Sequence, residues 1–438
     1  MELENQPHSE TPAEMTTSSI PQVKDFASEK WRQGALMTRV ALSVIAVALI
    51  FWVASRKTFF GDSISSVFLS VALFSIFLIL VRTNFSWKAI AGVALGAGLI
   101  YWLDIGLLGY RYTWPVLVSC VGLAGLAILA LRAIWAKEAE RSAAVLTLSA
   151  AFLFVGSEWC AGYFLAIGEV TRPKTLDLYL YSFDATLGVQ PAIVFGQLFA
   201  KFSTFAVVSQ LVYLGLPVAM ALVFAGCMVR RRDFASRALV AFLITGPIGA
   251  CFYTMFPALG PAHILSSSFP WHALSTAQAK RLVLEPITVP GPRNAIPSLH
   301  AAWAFLVYWF AYRLSMVERI GAGLFVFFTL CATLGTGEHY FIDLVVAAPF
   351  CLLVLGLTMA LCRRWNNAFW APLLGGLGLT LAWFALLRYA TPVFRASPAI
   401  SWAACAGTLV ACWLWLRPFS APEAAGVGMA NSSSASSL

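Results

Sequence analysis

Residues 339–361 read HYFIDLVVAAPFCLLVLGLTMAL. Beyond its polar head of His339, Tyr340 and Asp343, the stretch holds no charged side chain. At about 1.5 Å of rise per residue it is long enough, as a helix, to cross a hydrocarbon core, which takes about 20 residues. A barrel strand would instead alternate in polarity over about ten residues, and no such alternation is present. Read outward, the chain repeats the pattern. Apolar runs fall at 37–55, 64–81, 89–108, 114–135, 143–167, 206–229, 237–256, 299–316, 321–337, 339–361, 370–387 and 396–416. The expectation is an all-α, polytopic membrane helix bundle of about 12 transmembrane helices.

Composition agrees. Of 438 residues, 60% are hydrophobic and 11% charged, with a mean hydropathy of +0.79. Ordinary soluble chains are about 45–50% apolar and about 25% charged. This excludes a disordered chain, a collagen-like fibre and an ordinary soluble enzyme. The net charge of +9 does not point to nucleic acid. The basic residues sit in short segments between apolar runs, where they orient a membrane protein. Nearly all nine cysteines lie inside apolar runs, and none forms a C-x-x-C pair. They read as small hydrophobes, with neither a disulfide framework nor a zinc site.

Residues 1–35 are polar and contain Pro7, Pro12 and Pro21 with no apolar core of a signal peptide, so a disordered cytoplasmic tail is expected. Residues 418–438, rich in Ala, Ser and Gly, are expected to be disordered as well. With the N terminus in the cytoplasm, most Lys and Arg fall on the cytoplasmic side, among them Arg82, Arg230, Arg231, Arg232, Arg313 and Arg319. Two long segments then lie on the outer side. Segment 168–205, with its TLDLYLYSFDATLG stretch, is too polar to span and too aromatic for a simple linker, and is expected to lie along the interface. Segment 257–298 is rich in Pro and Gly and ends in a dense motif, which marks it as functional.

Two of the five histidines, His300 and His339, stand where outer segments enter apolar runs. One helical hairpin, 299–316 and 321–337, separates them and returns the chain to the same depth, so that both imidazoles can face one pocket. His339 and Asp343 are spaced i, i+4, which on a helix places them on one face. A carboxylate there accepts from one ring nitrogen, fixes the tautomer and frees the other nitrogen as nucleophile or base. A structural His–Asp pair pinning two helices is the alternative. Ser298 is a candidate N-cap, with Pro297 stopping backward extension of the helix. His300 then lies in a first turn whose free N–H groups attract phosphate, and Arg293 can add a guanidinium clamp on the same anion. These parts fit phosphoryl transfer: one His attacks phosphorus, a carboxylate holds it, and a second His protonates the leaving oxygen. There is no Walker loop, and no carboxylate cluster suggests Mg²⁺, so no cofactor and no metal are expected.

On these residues the chain resembles the type 2 phosphatidic acid phosphatase superfamily, a six-helix membrane core with three short motifs. It is most similar to the branch of inositol phosphorylceramide synthases. YTMFPALGPAH (253–263) resembles that branch's first motif, PSLH (297–300) the second and HYFID (339–343) the third. The resemblance covers roughly 145–365. It implies that His339 is the nucleophile, His300 the general acid and Asp343 the orienting carboxylate; Arg293 and Ser298 are expected, from the residue reading above, to bind substrate. It also implies a phospholipid, sphingolipid or polyprenyl-phosphate substrate and a multi-pass protein of a bacterial inner (cell) membrane with an extracytoplasmic site. The phosphatases of the superfamily carry a Lys and an Arg-Pro in motif one and a Ser-Arg before the motif-three His. Here Thr333 stands six residues before His339 and no such Lys or Arg-Pro occurs, which leans toward a transferase. The expected organisation is a tail (1–35), an accessory four-span region (36–140), a six-helix catalytic core (141–365), two further spans (366–417) and a second tail. A simple lipid phosphate phosphatase and a non-enzymatic transporter are the alternatives. Against transport, the polar residues gather at one face and no internal repeat is visible. Asp104 and Glu158 lie within apolar runs, and Arg172 and Lys174 head the first outer segment as candidates for phosphate or headgroup contact.

Overall fold

The computed structural model describes residues 64–83, 86–108, 114–362 and 369–420. The expected run at 37–55, the tail 1–35 and residues 421–438 of the second tail lie outside the described residues, as do the side chains of Asp104 and Glu158. Four helices come first: α1 (Ile64–Thr83), α2 (Trp87–Leu108), α3 (Trp114–Trp135) and α4 (Glu138–Thr171). A short strand β1 (Lys174–Thr175) leads to α5 (Asp177–Thr186), α6 (Pro191–Lys201), α7 (Ser203–Leu214), α8 (Leu216–Arg230) and α9 (Arg232–Met255). After α10 (Pro261–Leu265), α11 (Thr276–Lys280) and β2 (Ile287–Thr288) come α12 (Leu299–Ala311), α13 (Met316–Gly335) and α14 (Phe341–Leu361). The described chain closes with α15 (Trp370–Tyr389), α16 (Thr391–Ala396) and α17 (Pro398–Ser420).

Among the described residues the architecture is all-α apart from one two-residue antiparallel ladder. Six described helices are long and apolar enough to cross a membrane, or seven if the bent pair α6–α7 counts as one. The expected twelve is therefore not reached among the described residues. Two apolar runs explain part of the difference. The run 206–229 is not one helix: α7 stops at Gly215, and α8 restarts with Pro217 near its N-terminus. The run 299–316 yields only the 13 residues of α12, about 20 Å of helix. Its upper end begins at Ser298, below the outer segment. The chain between α6 and α7 turns by 116° at Phe202, whose extended backbone ends the first helix.

Apolar side chains form two clusters. One joins α1–α4 through residues such as Leu73, Ile76, Val93, Leu126 and Leu129. The larger gathers α5, α8, α9, α12, α14 and α15 around Phe183, Phe224, Phe242, Phe350 and Trp383. Helix α1 packs on α3 and on α8, so it bridges the two. The α1–α3 crossing depends on Gly122, where a Cβ would fall 2.2 Å from the Leu73 carbonyl oxygen. At one end of the bundle, Arg82 at the end of α1 and Arg230 at the end of α8 both pair with Glu318 at the start of α13. Basic residues from two expected cytoplasmic ends thus meet one acid at a third. The residues of interest lie at the opposite end of α13, about 30 Å away along a 20-residue helix.

Within segment 168–205, nearly every residue of α5 is buried inside the protein, while α6 keeps exposed residues such as Val194. The reason is polar. α5 carries Asp177 and Asp184, seven residues apart and so on one helical face, and both carboxylates find backbone N–H groups inside the protein. The two outer segments are joined through β1 and β2, with Lys174 opposite Thr288 and Thr175 opposite Ile287. Leu176 N–H also donates to the Pro257 carbonyl at 2.7 Å.

Candidate active site

Helix α12 starts where Ser298 caps it: the hydroxyl oxygen accepts from the Ala301 N–H at 3.4 Å. The Ser298 N–H in turn donates to the Asp343 carbonyl at 3.2 Å, which ties the PSLH turn to the first turn of α14. His339 stands just before α14, not on it, because Tyr340 is the N-cap residue. The expected helical i, i+4 face is therefore replaced by a cap. Asp343 is the third residue of α14, and its Oδ2 accepts from the Tyr340 N–H at 2.8 Å. The same Oδ2 lies 3.5 Å from His339 Nδ1.

The closer partner of Nδ1 is the Ala295 carbonyl, at 2.9 Å. A carbonyl only accepts, so Nδ1 carries the proton. Nε2 is left with its lone pair, 3.2 Å from the Ser298 hydroxyl, which donates to it. The His339 N–H donates to the Thr333 carbonyl, so Thr333 contributes its backbone where relatives of the motif carry a Ser-Arg. His339, Ser298 and Asp343 are almost wholly buried. Asp343 Oδ1 has no hydrogen-bond partner among the described residues, so one carboxylate oxygen is held in place but unsatisfied.

His300 projects from the first turn of α12, two residues from Ser298. Its Nδ1 is 3.1 Å from the Tyr213 hydroxyl of α7, and the two rings stack with centroids 4.1 Å apart. Phe68 of α1 and Trp303 complete an aromatic surround, at 5.7 and 6.2 Å. The structure thus brings His339, Ser298, Asp343 and His300 together at one end of the bundle.

Arg293 is used differently from expectation. It is buried, and its guanidinium donates to the carbonyls of Arg172 and Pro173 at 2.9 Å each, and to that of Gly291. It staples the two outer segments together, and much of its donor capacity is spent on backbone. Arg172 enters this clamp through its carbonyl, and Lys174 lies in β1.

Several residues that hold the site gave little signal in the sequence. Asp177 Oδ1 accepts from the Leu259 and Gly260 N–H groups, both at 3.0 Å, and from the Tyr340 hydroxyl at 3.1 Å. Asp184 accepts from the Phe341 and Ile342 N–H groups at 2.8 and 3.3 Å, so it caps α14 from another helix. Burial raises the Asp184 carboxyl to about 8. The Phe341 N–H opposes that rise, and the nearby Asp343 charge adds to it. Burial likewise raises Asp177 against the bonds it accepts. The spacing DLYLYSFD, with two acids on one face of an otherwise aromatic helix, was the available clue. At the rim of the site His263 Nε2 lies 3.6 Å from Glu338 Oε2. Glu338 raises the His263 pKa above its ordinary value, against partial burial. Burial works to raise Glu338, but His263 outweighs it and holds the carboxyl below its usual range. Close approach here requires Gly260, whose φ is +140° and where a Cβ would meet the Glu338 carbonyl at 2.3 Å. Among the described residues, no three His, Cys, Asp or Glu side chains come together so as to hold a metal ion.

With this geometry in hand, a comparison with known families bears directly on the class. Residues 178–357 match the family model of the PAP2 superfamily. The match runs from α5 through α14 and contains all three motifs. It supports the type 2 phosphatidic acid phosphatase superfamily and, with the apolar helices, an integral, multi-pass membrane protein of the lipid phosphatase or phosphotransferase kind. No curated protein and no solved structure matches the chain significantly. The matched PAP2 segment leaves α1–α4 and α15–α17 outside it, although Phe68 of α1 reaches the His300 surround.

Proposed function

We propose that this chain is a lipid phosphotransferase in which His339 Nε2 attacks the phosphorus of a lipid phosphoester. The observation that carries the reading is the Ala295 carbonyl on Nδ1, which leaves Nε2 as the only nucleophilic nitrogen and aims it at the start of α12. In the reaction the Ser298 hydroxyl turns from Nε2 toward the phosphoryl oxygens. As it turns, Ser298 releases the Ala301 N–H it now caps, and the N-terminal end of α12 stabilises the charge on the same oxygens. The Nε2–P bond forms as the bond to the leaving oxygen breaks, and that oxygen takes a proton from His300. Asp343, 3.5 Å from Nδ1, offsets the positive charge that His339 gains. In the second half an acceptor hydroxyl attacks phosphorus, its proton passes to His300, and the P–Nε2 bond breaks. The site then returns to its starting state.

Within this class we favour transfer to an alcohol, as in the inositolphosphotransferase-like branch, over hydrolysis to free phosphate. The motif-one Lys and Arg-Pro of the phosphatases are absent, and Arg293 is engaged by three carbonyls. A phospholipid, sphingolipid or polyprenyl phosphate supplies the phosphoryl group, and the site faces the extracytoplasmic side of the cell membrane. The test is incubation of purified protein with labelled phospholipids, with and without alcohol acceptors such as inositol-bearing and ceramide-type lipids. A new phosphodiester lipid is expected. Free phosphate alone would move the reading to a simple lipid phosphatase, and no turnover of any lipid phosphate would reject it.

A further inference from the structure

The two imidazoles are provided for in opposite ways. His339 is backed by a carbonyl at 2.9 Å and a carboxylate at 3.5 Å. His300 has a neutral partner, the Tyr213 hydroxyl, inside an aromatic surround of Tyr213, Phe68 and Trp303. A phenol hydroxyl both donates and accepts, so it can stay on Nδ1 whichever way that nitrogen is protonated. Tyr213 reaches this position because α7 ends at Gly215, which places the last turn of α7 against the first turn of α12. No other ring nitrogen contact of His300 involves a protein hydrogen bond among the described residues, so Nε2 is the nitrogen left for substrate.

We propose that Tyr213 is the positioning residue of the proton donor: its hydroxyl holds Nδ1 of His300 and its stacked ring fixes the imidazole plane, so that Nε2 exchanges the proton with the leaving and attacking oxygens. The proposal rests on the phosphotransferase reading above. It makes the identity of the general acid a consequence of two unlike partners, a carboxylate-backed ring for attack and a hydroxyl-backed ring for proton transfer.

The test compares wild type, Tyr213→Phe, His300→Ala and the double variant on two substrates. Phosphatidate has an alkoxide leaving group that needs a proton; the leaving group of p-nitrophenyl phosphate needs none. Tyr213→Phe keeps the stacked ring and removes only the hydroxyl. General acid catalysis is worth about 10²–10⁴-fold. Loss of its positioning bond is expected to cost about 10–10²-fold on phosphatidate and under about threefold on p-nitrophenyl phosphate. In the His300→Ala background the Phe substitution should cost nothing further on either substrate, because Tyr213 acts only through His300. Equal losses on both substrates, or an undiminished loss in the His300→Ala background, would assign Tyr213 a structural role and overturn the proposal. Absence of wild-type turnover on every phosphate substrate, with His339→Ala no different, would overturn the phosphotransferase reading and this proposal with it.

Discussion

Replacing Asp343 with Asn separates two roles that a carboxylate beside a histidine usually combines. In a serine-protease triad the carboxylate sets the tautomer, and an Asp-to-Asn change costs about 10⁴-fold because the ring flips. Here the Ala295 carbonyl, at 2.9 Å, already demands a proton on Nδ1, while Asp343 stands farther away at 3.5 Å. In Asp343→Asn the side-chain amide can keep its carbonyl oxygen where Oδ2 now accepts from the Tyr340 N–H, and its NH₂ group falls where Oδ1 has no partner. The shape and the tautomer should survive, and only the negative charge is lost. At 3.5 Å and an effective dielectric of about 20, that charge is worth at most roughly 5 kcal/mol to a cationic ring. Part of it is already committed to the Tyr340 N–H, so Asp343→Asn is expected to lower kcat by about 10²–10³-fold. The assay is steady-state turnover of a lipid phosphate, paired with ¹⁵N NMR of labelled histidine to read which ring nitrogen of His339 is protonated. A loss of 10⁴-fold or more with the proton moved to Nε2 would show that Asp343, not Ala295, sets the tautomer, and the reasoning would fail.

Three further outcomes follow from the structure. Asp184→Ala strips the acceptors from two buried N–H groups at the start of α14 and should cost about 2–4 kcal/mol of stability, whereas Asp184→Asn keeps one carbonyl acceptor but sets an NH₂ against the other N–H and should cost about 1–2 kcal/mol in thermal melts. Because the Asp184 carboxyl is raised from 3.8 to about 8 on folding, the folded state holds the extra proton, so wild-type stability should fall as pH rises through that window and the Asn variant should lack this component. His263 is raised, so its pairing with Glu338 contributes fully below pH 6.5 and is lost as pH rises through the folded value; the Tm difference between wild type and His263→Gln should be largest near pH 5–6 and vanish at alkaline pH, and a difference that grows there would contradict the pairing. For sidedness, a cysteine placed near Gly291, at the exposed Thr288, should react with an impermeant thiol reagent from outside intact cells and Asp233→Cys should not; the reverse pattern would place the site in the cytoplasm.

The sequence made the membrane class and the PSLH and HYFID motifs plain, because apolar run length and the ionisable residues at run ends are direct physical signals. It misled where a run was apolar but the backbone was not continuous. Nothing in the hydropathy of 206–229 marks the break at Gly215, and it is this break that delivers Tyr213 to His300. The partner of His339 Nδ1 was likewise out of reach, since a backbone carbonyl such as that of Ala295 leaves no trace in residue type. Arg293 looked free as an anion clamp because its partners, the carbonyls of Arg172 and Pro173, lie about 120 residues away in the chain. Asp177 and Asp184 carried a usable signal, two acids on one face of an aromatic helix, but pairing them with α14 required the tertiary fold.

The central claim is that His339 Nε2 bonds to phosphorus. The most direct measurement is a rapid quench of the purified enzyme mixed with a ³²P-labelled lipid phosphate, followed by denaturing electrophoresis under alkaline conditions. Phosphohistidine survives base and is lost in acid. The expected result is a base-stable, acid-labile label that is present in wild type, retained in His300→Ala with a nitrophenyl substrate and absent from His339→Ala. Full turnover with no label at any quench time, or label that persists in His339→Ala, would contradict the account.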